Sequence, residues 1–205
     1  MTGPGHGSVL AGRYELGEPV GTGGMARVWS GTDLVLSREV AIKILHQHLA
    51  DDPSVVERFR NEARASAKAA HPCIVAIYDT VWEQWPDGDP SEPMVGAIIM
   101  EFVDGVTLRR HLDEVGTMAF DDVISLAADL CDALHVAHRH GLIHRDVKPS
   151  NVLIGFDGDV KLADFGIAKA TDGAERTHDG TVVGTASYIS PEQLRGNAVD
   201  SRSDL

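Results

Sequence analysis

Two short segments of the sequence carry the residue types that phosphoryl transfer requires. They are His-Arg-Asp-Val-Lys-Pro-Ser-Asn at residues 144–151 and Asp-Phe-Gly at residues 164–166. In the first segment, the Asp146 carboxylate can orient a hydroxyl nucleophile, the Lys148 ammonium can neutralise a transferring phosphate, and the Asn151 amide can bind magnesium. Asp164 adds a carboxylate ligand for the metal. Both segments together rarely arise by chance, so they predict phosphoryl-transfer chemistry.

A glycine-rich segment near the N-terminus is a second candidate for binding phosphate. It reads Gly-Thr-Gly-Gly-Met-Ala at residues 21–26, with Ala26 at the position where such loops have a third glycine. The candidate phosphate-binding residues are Gly21, Thr22, Gly23 and Gly24. On this segment alone, an ordinary hairpin turn is an equally good interpretation. The residues that follow, Arg27–Ser30, have the character of a strand, whereas a dinucleotide-binding fold needs a helix there, so that fold is a remote alternative.

Lys43 is a cation in a strand of otherwise core-forming residues, Val-Ala-Ile-Lys, and Glu62 follows on a predicted helix. A lysine held by a carboxylate in this way can bind the α- and β-phosphates of a nucleotide. The alternatives are a surface lysine at a strand edge and a glutamate on a solvated helix face, since Glu57 and several arginines surround Glu62. The position of Glu62 relative to Lys43 favours it over Glu57 as the partner.

Taken together, these motifs resemble those of the eukaryotic-like serine/threonine protein kinases, and their spelling is most similar to the bacterial branch. The segments that carry the resemblance include Gly-Gly-Met-Ala, Glu-Phe-Val-Asp-Gly-Val-Thr-Leu and His-Arg-Asp-Val-Lys-Pro, and it extends from Tyr14 to the last residue. It implies an α+β, bilobal kinase fold, ATP and Mg²⁺ as cofactors with Mn²⁺ as a possible substitute, and transfer of the γ-phosphate to serine or threonine of proteins. Asp146 would then act on the substrate hydroxyl, and Asn151 and Asp164 would hold the metal.

The resemblance also implies which residues surround the adenine of ATP. They are Val20, Val28 and Ala41 for the upper wall, Met100 for the back, and the backbone of Glu101–Val103 for the hydrogen-bonding edge. Taken singly, each of them is more often an ordinary core residue.

Regulation and substrate positioning are implied at four further residues. Arg145, directly before the catalytic aspartate, can recruit a phosphothreonine from the loop that follows Asp-Phe-Gly. The candidates in that loop are Thr177, which we predict as the main autophosphorylation site, and Thr181. Thr185 is implied to bond the catalytic aspartate and lysine, which favours serine and threonine over tyrosine as substrates.

The pattern of apolar residues divides the chain into a β-rich part and a helical part. We expect residues 1–13 to be a flexible lead-in, residues 14–102 a lobe of strands with one helix, and residues 103–205 a partial, mostly helical lobe. The predicted strands are Tyr14–Val20, Arg27–Ser30, Glu39–Leu45, Cys73–Tyr78 and Val95–Phe102. The predicted helices run from Pro53 to His71, from Thr107 to Val115 and from Asp121 to His140, and Gly116 and Gly141 end the last two.

Amino-acid composition limits the partners and the cellular compartment that we expect for the chain. A formal net charge of −13 argues against nucleic acid or an anionic membrane as the main partner, because both select for clustered lysine and arginine. Cys73 and Cys131 are isolated and are expected to be reduced thiols, and no apolar run is long enough to span a bilayer. We therefore expect a cytoplasmic chain. The resemblance to kinases implies protein substrates as partners and, through the N-terminal lobe, a second kinase molecule. A longer parent protein could still carry a membrane anchor.

The resemblance breaks near the C-terminus. Asp200–Leu205 looks like the start of a long buried helix that supports the catalytic loop in such kinases, and the arginine that pairs with Glu192 normally lies further on. We therefore expect Glu192 to lack its partner. Several apolar residues of the last predicted helix would also lose neighbours, and because domains have small net stabilities, we expect the isolated chain to be unstable or aggregation-prone. These residues are Ile124, Leu126, Leu130 and Leu134.

Two functional alternatives stay open. A truncated chain could bind ATP or pair with another kinase without transferring phosphate. A small-molecule kinase, such as an aminoglycoside phosphotransferase, uses the same catalytic groups, but Lys148-Pro149 and the segment Thr185–Glu192 argue against it.

Overall fold

The structure is a computed structural model that describes residues 5–84, 94–165 and 186–205. Its strands are β1 (Val9–Leu10), β2 (Tyr14–Thr22), β3 (Ala26–Asp33), β4 (Arg38–Leu45), β5 (Ile77–Glu83), β6 (Val95–Glu101), β7 (Gly105–Thr107), β8 (Val152–Gly155) and β9 (Val160–Leu162). Its α-helices are α1 (Pro53–Ser66), α2 (Leu108–Val115), α3 (Phe120–Arg139) and α4 (Pro191–Leu194). Short 3-10 helices cover Gln47–Leu49, Pro149–Asn151, Ala186–Tyr188 and Ser201–Asp204.

The chain divides into two compact units. The first consists of Met1–Ala63 and Ala76–Phe102, and the second of Arg64–Val75 and Val103–Leu205. The prediction assigned all of residues 14–102 to one lobe, whereas Arg64–Val75 belongs to the second unit. The reason is a parallel bridge between Ile74 and Leu162, which ties this segment to β9.

The first unit contains an antiparallel sheet with the strand order β1-β2-β3-β4-β6-β5. Because side chains alternate along a strand, every second residue points to the same face. One face forms a core of buried residues, namely Leu10, Tyr14, Leu16, Trp29, Val40, Ile42, Ile44, Val81, Ala97 and Ile99. The Tyr14 hydroxyl on β2 donates a hydrogen bond to Asp79 on β5 at 2.7 Å, and the Ala11 N–H donates to Glu83 at 2.7 Å. The sheet is therefore curved enough that β2 and β5, which are not neighbours in it, are joined by a hydrogen bond.

The opposite face of the sheet packs on helix α1. The buried residues that share this second core are Ala26, Leu45, Val55, Phe59, Ala63 and Ile98. Helix α1 begins at Pro53, which suits a first helical position, and the Asp52 carboxylate accepts hydrogen bonds from the Ser54 N–H and hydroxyl at 2.8 Å each. The helix ends at Ser66 rather than at the predicted His71, because the chain continues in tighter turns, such as the bond from the Ala69 N–H to the Ser66 carbonyl.

The second unit packs α2 and α3 against a small antiparallel sheet with the strand order β7-β8-β9. Its buried core consists of Ala69, Ile74, Leu108, Ala133, Leu134, Ala137, Leu142, Val152, Leu162 and Phe165. Thr107 is the N-cap of helix α2. Its hydroxyl accepts a hydrogen bond from the Arg110 N–H at 3.1 Å. Gly116, with a φ of 78°, ends this helix at the predicted residue, because this backbone conformation favours glycine.

Helix α3 has one buried and one exposed face. Of the apolar residues that were expected to lose neighbours, Leu134 is buried, and Leu126 and Leu130 are partly buried against the core of the second unit. Ile124 remains 54% exposed. The expected instability of the isolated chain therefore depends on fewer residues, and it stays a prediction. In the described ranges, no helix is both long and apolar enough to cross a membrane.

Two predicted boundaries differ from the structure. Residues 1–13 were expected to be a flexible lead-in, but Val9 and Leu10 form β1, pair with the start of β2, and bury Leu10 completely. The strand predicted over Cys73–Tyr78 is shifted, because Ile74 makes only an isolated bridge and β5 starts at Ile77. The start of β5 is set by long-range contacts, which the local apolar pattern does not contain, whereas β1 pairs with a segment only four to six residues away.

Asp33, the last residue of β3, should contribute to stability in a pH-dependent way. Its carboxylate is buried and accepts hydrogen bonds from Arg13 at 2.8 and 2.7 Å, which lower its pKa from 3.8 to about 2. A carboxylate with a lowered folded-state pKa contributes fully above its ordinary pKa and loses that contribution as the pH falls towards the folded value. We expect the free energy of unfolding, measured with urea, to fall less between about pH 4 and pH 2 in Asp33→Asn than in the wild type. The exposed control Asp51→Asn should show the same pH dependence as the wild type. If the unfolding free energy of Asp33→Asn fell with pH in parallel to the wild type, the prediction would be contradicted.

Candidate active site

Lys43 and Glu62 form a buried ion pair in the first unit. Lys43 points to the α1 face of β4, and its Nζ lies 2.6 Å from Glu62 Oε1 on α1. Their side chains are only 11% and 8% exposed, so the alternatives of a surface lysine and a solvated glutamate do not apply. Glu57 is exposed one turn earlier on α1. Since burying an unpaired charge is costly, each of these two side chains needs the other.

Asp146, Lys148 and Asn151 form a hydrogen-bonded cluster in the second unit. The Lys148 ammonium lies 2.9 Å from Asp146 Oδ2. Asn151 Nδ2 donates to the same oxygen at 3.1 Å and to the Asp146 carbonyl at 2.9 Å. Because the amide nitrogen of Asn151 is held by Asp146, its Oδ1 is the atom that can serve as a metal ligand. The cluster therefore presents a carboxylate, a cation and an amide oxygen in one short loop.

The β8–β9 hairpin brings Asn151 and Asp164 to the same end of a sheet. Val152 pairs with Leu162, and just beyond this pair the Ala163 N–H donates to the Asn151 carbonyl at 2.8 Å. Asp164 follows directly and is exposed, with a φ of 59° that is unusual for a residue other than glycine. Such conformations cost about 1–3 kcal/mol and concentrate at functional sites. An exposed carboxylate and an amide oxygen at one sheet end suit a hard divalent cation.

His144 connects the two segments through a neutral ring. It is fully buried, its Nδ1 accepts from the Asp146 N–H at 3.2 Å, and its Nε2 donates to the Ala163 carbonyl at 3.0 Å. Its ring also packs on Phe165, with the ring centroids 4.6 Å apart. Burial lowers the pKa of His144, which keeps the ring neutral and both of these bonds intact. His144 and Phe165 therefore position the site and do not themselves carry chemistry.

The protein kinase domain model matches residues 14–205 of this chain. The chain belongs to the protein kinase family. It is 49% identical over 207 residues to the serine/threonine-protein kinase PknB of Mycolicibacterium smegmatis, in an alignment that covers 100% of this chain and 32% of the relative. A probable serine/threonine-protein kinase of Streptomyces coelicolor is 46% identical, with 96% of this chain and 29% of the relative covered. The chain thus spans about a third of the length of these bacterial relatives.

Among solved structures, the PknI kinase domain of Mycobacterium tuberculosis is similar to this kinase chain. The TM-score is 0.73 at 28% sequence identity, and the match covers 98% of this chain and 73% of that one. The α+β kinase fold predicted from the motifs is therefore confirmed. Protein kinases use ATP and Mg²⁺, so these are the ligands that the site residues of this chain would have to accommodate.

The glycine-rich loop of this kinase fits a phosphate ligand. None of Gly21, Gly23 and Gly24 has a positive φ, and a Cβ atom at Gly24 would meet no atom within 4 Å. The fold itself therefore does not require glycine at residue 24, whereas close approach of a ligand to the backbone would. Ala26, in place of the third glycine, is 4% exposed and shares the core with α1, which explains a residue with a methyl group there.

The predicted adenine-binding residues of the first unit lie mainly on one region of its sheet. Ala41 pairs with Met100 in the β4–β6 register, and both are buried. Val28 pairs with Lys43 and is half-buried, while Val20 near the end of β2 is 56% exposed. The Glu101 N–H donates to the Ala76 carbonyl at 2.8 Å, so this N–H is already used within the first unit. Val103 belongs to the second unit and is half-buried.

Asp204 is a residue of the candidate site that the sequence analysis did not single out. It is buried, and its carboxylate accepts hydrogen bonds from the N–H groups of His144 and Arg145 at 2.8 and 2.7 Å. His138 Nε2 donates to it as well, at 2.7 Å. The segment Asp200–Leu205 was expected to support the catalytic loop, and Asp204 provides that support from a 3-10 turn instead of a long helix. The resemblance pointed to this segment, but not to Asp204 as the supporting residue within it.

Gln193 holds the same loop from the other side and was also missed. Its side-chain Nε2 donates to the Arg145 carbonyl at 2.8 Å. Arg145 has a φ of 66°. Its carbonyl accepts from Gln193 and its N–H donates to Asp204, so both polar atoms of its backbone are hydrogen-bonded. These bonds explain how a strained conformation persists next to Asp146, the candidate base. Helix α4 positions Gln193 through a capping box with Ser190.

Glu192, which was expected to lack its arginine partner, accepts a hydrogen bond from a serine within the described residues. The Ser203 hydroxyl donates to Glu192 Oε1, which lowers the pKa of Glu192. Both residues line a cavity of about 670 Å³ together with Val147 and Tyr188. The predicted regulatory and substrate-positioning residues Thr177, Thr181 and Thr185 lie outside the described residues.

Proposed function

We propose that this chain transfers the γ-phosphate of ATP to serine and threonine hydroxyls of protein substrates. The observation that carries the proposal is the cluster in which Lys148 and Asn151 both contact Asp146 Oδ2, at 2.9 and 3.1 Å. A carboxylate held in this way by a cation and an amide is positioned to accept the proton of an attacking hydroxyl. The relatives named serine/threonine-protein kinases support the same reaction.

Each residue of the cluster has a distinct role in this proposal. Asp146 accepts the proton as the substrate oxygen forms its bond to the γ-phosphorus and the bond to the leaving ADP breaks. Lys148 stabilises the negative charge on the transferring phosphate. Asn151, through Oδ1, and Asp164 would hold Mg²⁺, which, when bound, neutralises phosphate charge. The neutral His144 ring keeps the Asp146 backbone in place through its bond to the Asp146 N–H.

Lys43 and Glu62 serve nucleotide binding in this proposal. A buried ammonium held at 2.6 Å from a carboxylate has little rotational freedom and can donate to phosphate oxygens without a further entropy cost. Glu62 also offsets the cost of burying the Lys43 side chain, because the two groups form an ion pair. We therefore expect substitution of either residue to impair catalysis even if the protein stays folded.

Replacing Lys43 with methionine tests the proposed reaction. We expect Lys43→Met to lower kcat/KM for ATP about 10²-fold or more, because a charge-assisted contact to the phosphates is lost in the transition state. The measurement is transfer of radiolabelled γ-phosphate to a generic basic protein, followed by identification of the labelled amino acid. Lys68→Met, at an exposed lysine, is the matched control and should retain full transfer.

The labelling experiment also separates the alternatives. Label on serine and threonine that is lost in Lys43→Met supports a protein kinase. Nucleotide binding without any label in the wild type would indicate a non-catalytic ATP-binding module. Mapping the label on the chain itself tests autophosphorylation at Thr177 and Thr181, which Arg145 would recognise in the phosphorylated form.

A second copy of the chain is the partner that we propose for the first unit. Leu34, Val35 and Leu36 are 47%, 68% and 55% exposed in the turn after β3, and the buried Asp33 accepts from the N–H groups of the last two at 3.2 Å each. At an ordered apolar patch, two copies of a chain with net charge −13 can meet without placing like charges in direct contact.

Sedimentation of the Val35→Asp variant tests this dimer. We expect the wild type to dimerise and Val35→Asp to weaken the dimer about tenfold or more, because each interface would bury two additional carboxylates. Leu194→Asp, at a residue that is 63% exposed in the second unit, should leave dimerisation unchanged. Equal association of the wild type and Val35→Asp would rule out this patch.

The proposed reaction also favours the cytoplasm as the location of this chain. ATP is abundant there, and Cys73 and Cys131 are free thiols, which persist in a reducing compartment.

A further inference from the structure

His46 binds both sides of the turn at the tip of the glycine-rich loop. It is the first residue after β4, its backbone N–H donates to the Met25 carbonyl at 2.9 Å, and its ring Nε2 donates to the Gly23 carbonyl at 2.9 Å. A carbonyl only accepts, so Nε2 carries the hydrogen. Within the turn, the Gly23 N–H donates to the Ala26 carbonyl at 2.8 Å. The end of β4 is therefore bonded to the loop on either side of Gly24.

The bond to Gly23 determines the orientation of one peptide group. In a trans peptide, the carbonyl of Gly23 and the N–H of Gly24 point in opposite directions. With the carbonyl held by His46, the Gly24 N–H points away from His46. Gly24 has open space where a Cβ atom would lie, so a ligand can approach this N–H closely. Backbone N–H groups presented in this way are typical phosphate ligands.

We propose that His46 is a positioning residue, which orients the Gly23–Gly24 peptide for the phosphates of the nucleotide. The inference depends on the proposed function, because it assigns a role in binding the same ATP. Residues Val20–Gly24 are exposed, so the loop has little packing of its own. A side-chain bond that orders the loop before binding reduces the entropy that the nucleotide must otherwise offset. Its effect should therefore appear in KM for ATP more than in kcat.

The variants His46→Phe, His46→Gln and His48→Leu separate this role from simple packing. Phenylalanine keeps a ring that can stack on His48, whose centroid lies 5.5 Å away, but it has no donor. Glutamine restores a side-chain N–H. His48 is exposed and stacks on His46, so His48→Leu removes the stacking and keeps the bond to Gly23. None of these changes touches the backbone bond from His46 to Met25.

The experiment measures KM for ATP and kcat of the full chain, together with hydrogen exchange of residues 21–26 without nucleotide. We expect His46→Phe to raise KM about 3- to 10-fold, as for loss of one hydrogen bond, to change kcat by less than about twofold, and to speed exchange of the loop. His46→Gln and His48→Leu should stay within about twofold of the wild type in KM. If His46→Phe does not fold, His46→Leu takes its place.

Three results would overturn the inference. They are a wild-type KM in His46→Phe, unchanged loop exchange in that variant, and equal defects in His46→Phe and His46→Gln. A wild type that transfers no phosphate would instead refute the proposed function. In that case the exchange comparison still decides whether His46 orders the loop.

Discussion

Asp146→Asn should transfer phosphate about 10²–10⁴ times more slowly than the wild type, because an amide cannot accept the proton of the attacking hydroxyl. The change preserves the size of the side chain, and an amide oxygen can still accept the bonds that now come from Lys148 and from Asn151 Nδ2. The loss should therefore fall on kcat, with little change in KM for ATP. The measurement is the initial rate of γ-phosphate transfer at saturating ATP.

The matched control for this variant is Asp157→Asn in the turn between β8 and β9. Asp157 is exposed and accepts a hydrogen bond from the Asp159 N–H at 3.1 Å, so the same chemical change there tests for general effects on the fold. We expect the control to retain full kcat. A folded Asp146→Asn protein with more than about a tenth of wild-type kcat would contradict the assignment of Asp146 as the base.

Replacing Asp204 with alanine should have the largest effect on stability, about 3–5 kcal/mol in the free energy of unfolding. The change leaves the N–H groups of His144 and Arg145 without the carboxylate that accepts them at 2.8 and 2.7 Å. It also removes the acceptor of His138, 2.7 Å away. Because Arg145 has a φ of 66°, loss of this support should let the catalytic loop relax and reduce kcat as well.

Urea unfolding and phosphate transfer of the full chain measure the two effects. Asp200→Ala is the control in the same 3-10 turn, since its carboxylate is 53% exposed and bonds only to Arg202 in the described residues. We expect that change to cost about 1 kcal/mol, as for loss of a helix cap, and to leave kcat unchanged. Equal stability losses in both variants would show that Asp204 has no special supporting role.

The candidate catalytic residues could be located in the sequence because they occur in short, contiguous motifs. Asp146, Lys148 and Asn151 lie within six residues, and in the structure they contact one another. Lys43 could be found because an isolated cation interrupts an apolar strand. Gly116 ends helix α2 at the predicted residue, since its φ of 78° is a local property of the chain. Local pattern therefore determined the fold class and the candidate site residues.

The choice between Glu62 and Glu57 needed the tertiary structure. Both are glutamates on α1, and only the packing of α1 against β4 brings Glu62 to 2.6 Å from Lys43 and leaves Glu57 exposed. The same holds for Asp204 and Gln193, which reach the catalytic loop from 59 and 48 residues away in sequence. It also holds for His46, whose ring reaches Gly23 across 23 residues.

The sequence by itself thus determined which chemical groups this protein has and which local elements carry them. The tertiary structure decided which of many equivalent carboxylates and amides support those groups. The physical reason is that a motif records residue type and spacing along the chain, while a buried hydrogen bond depends on how distant segments pack. Gln193 and His46 have no local signature, and the resemblance marked only the segment of Asp204, because the partners of all three residues are set by that packing.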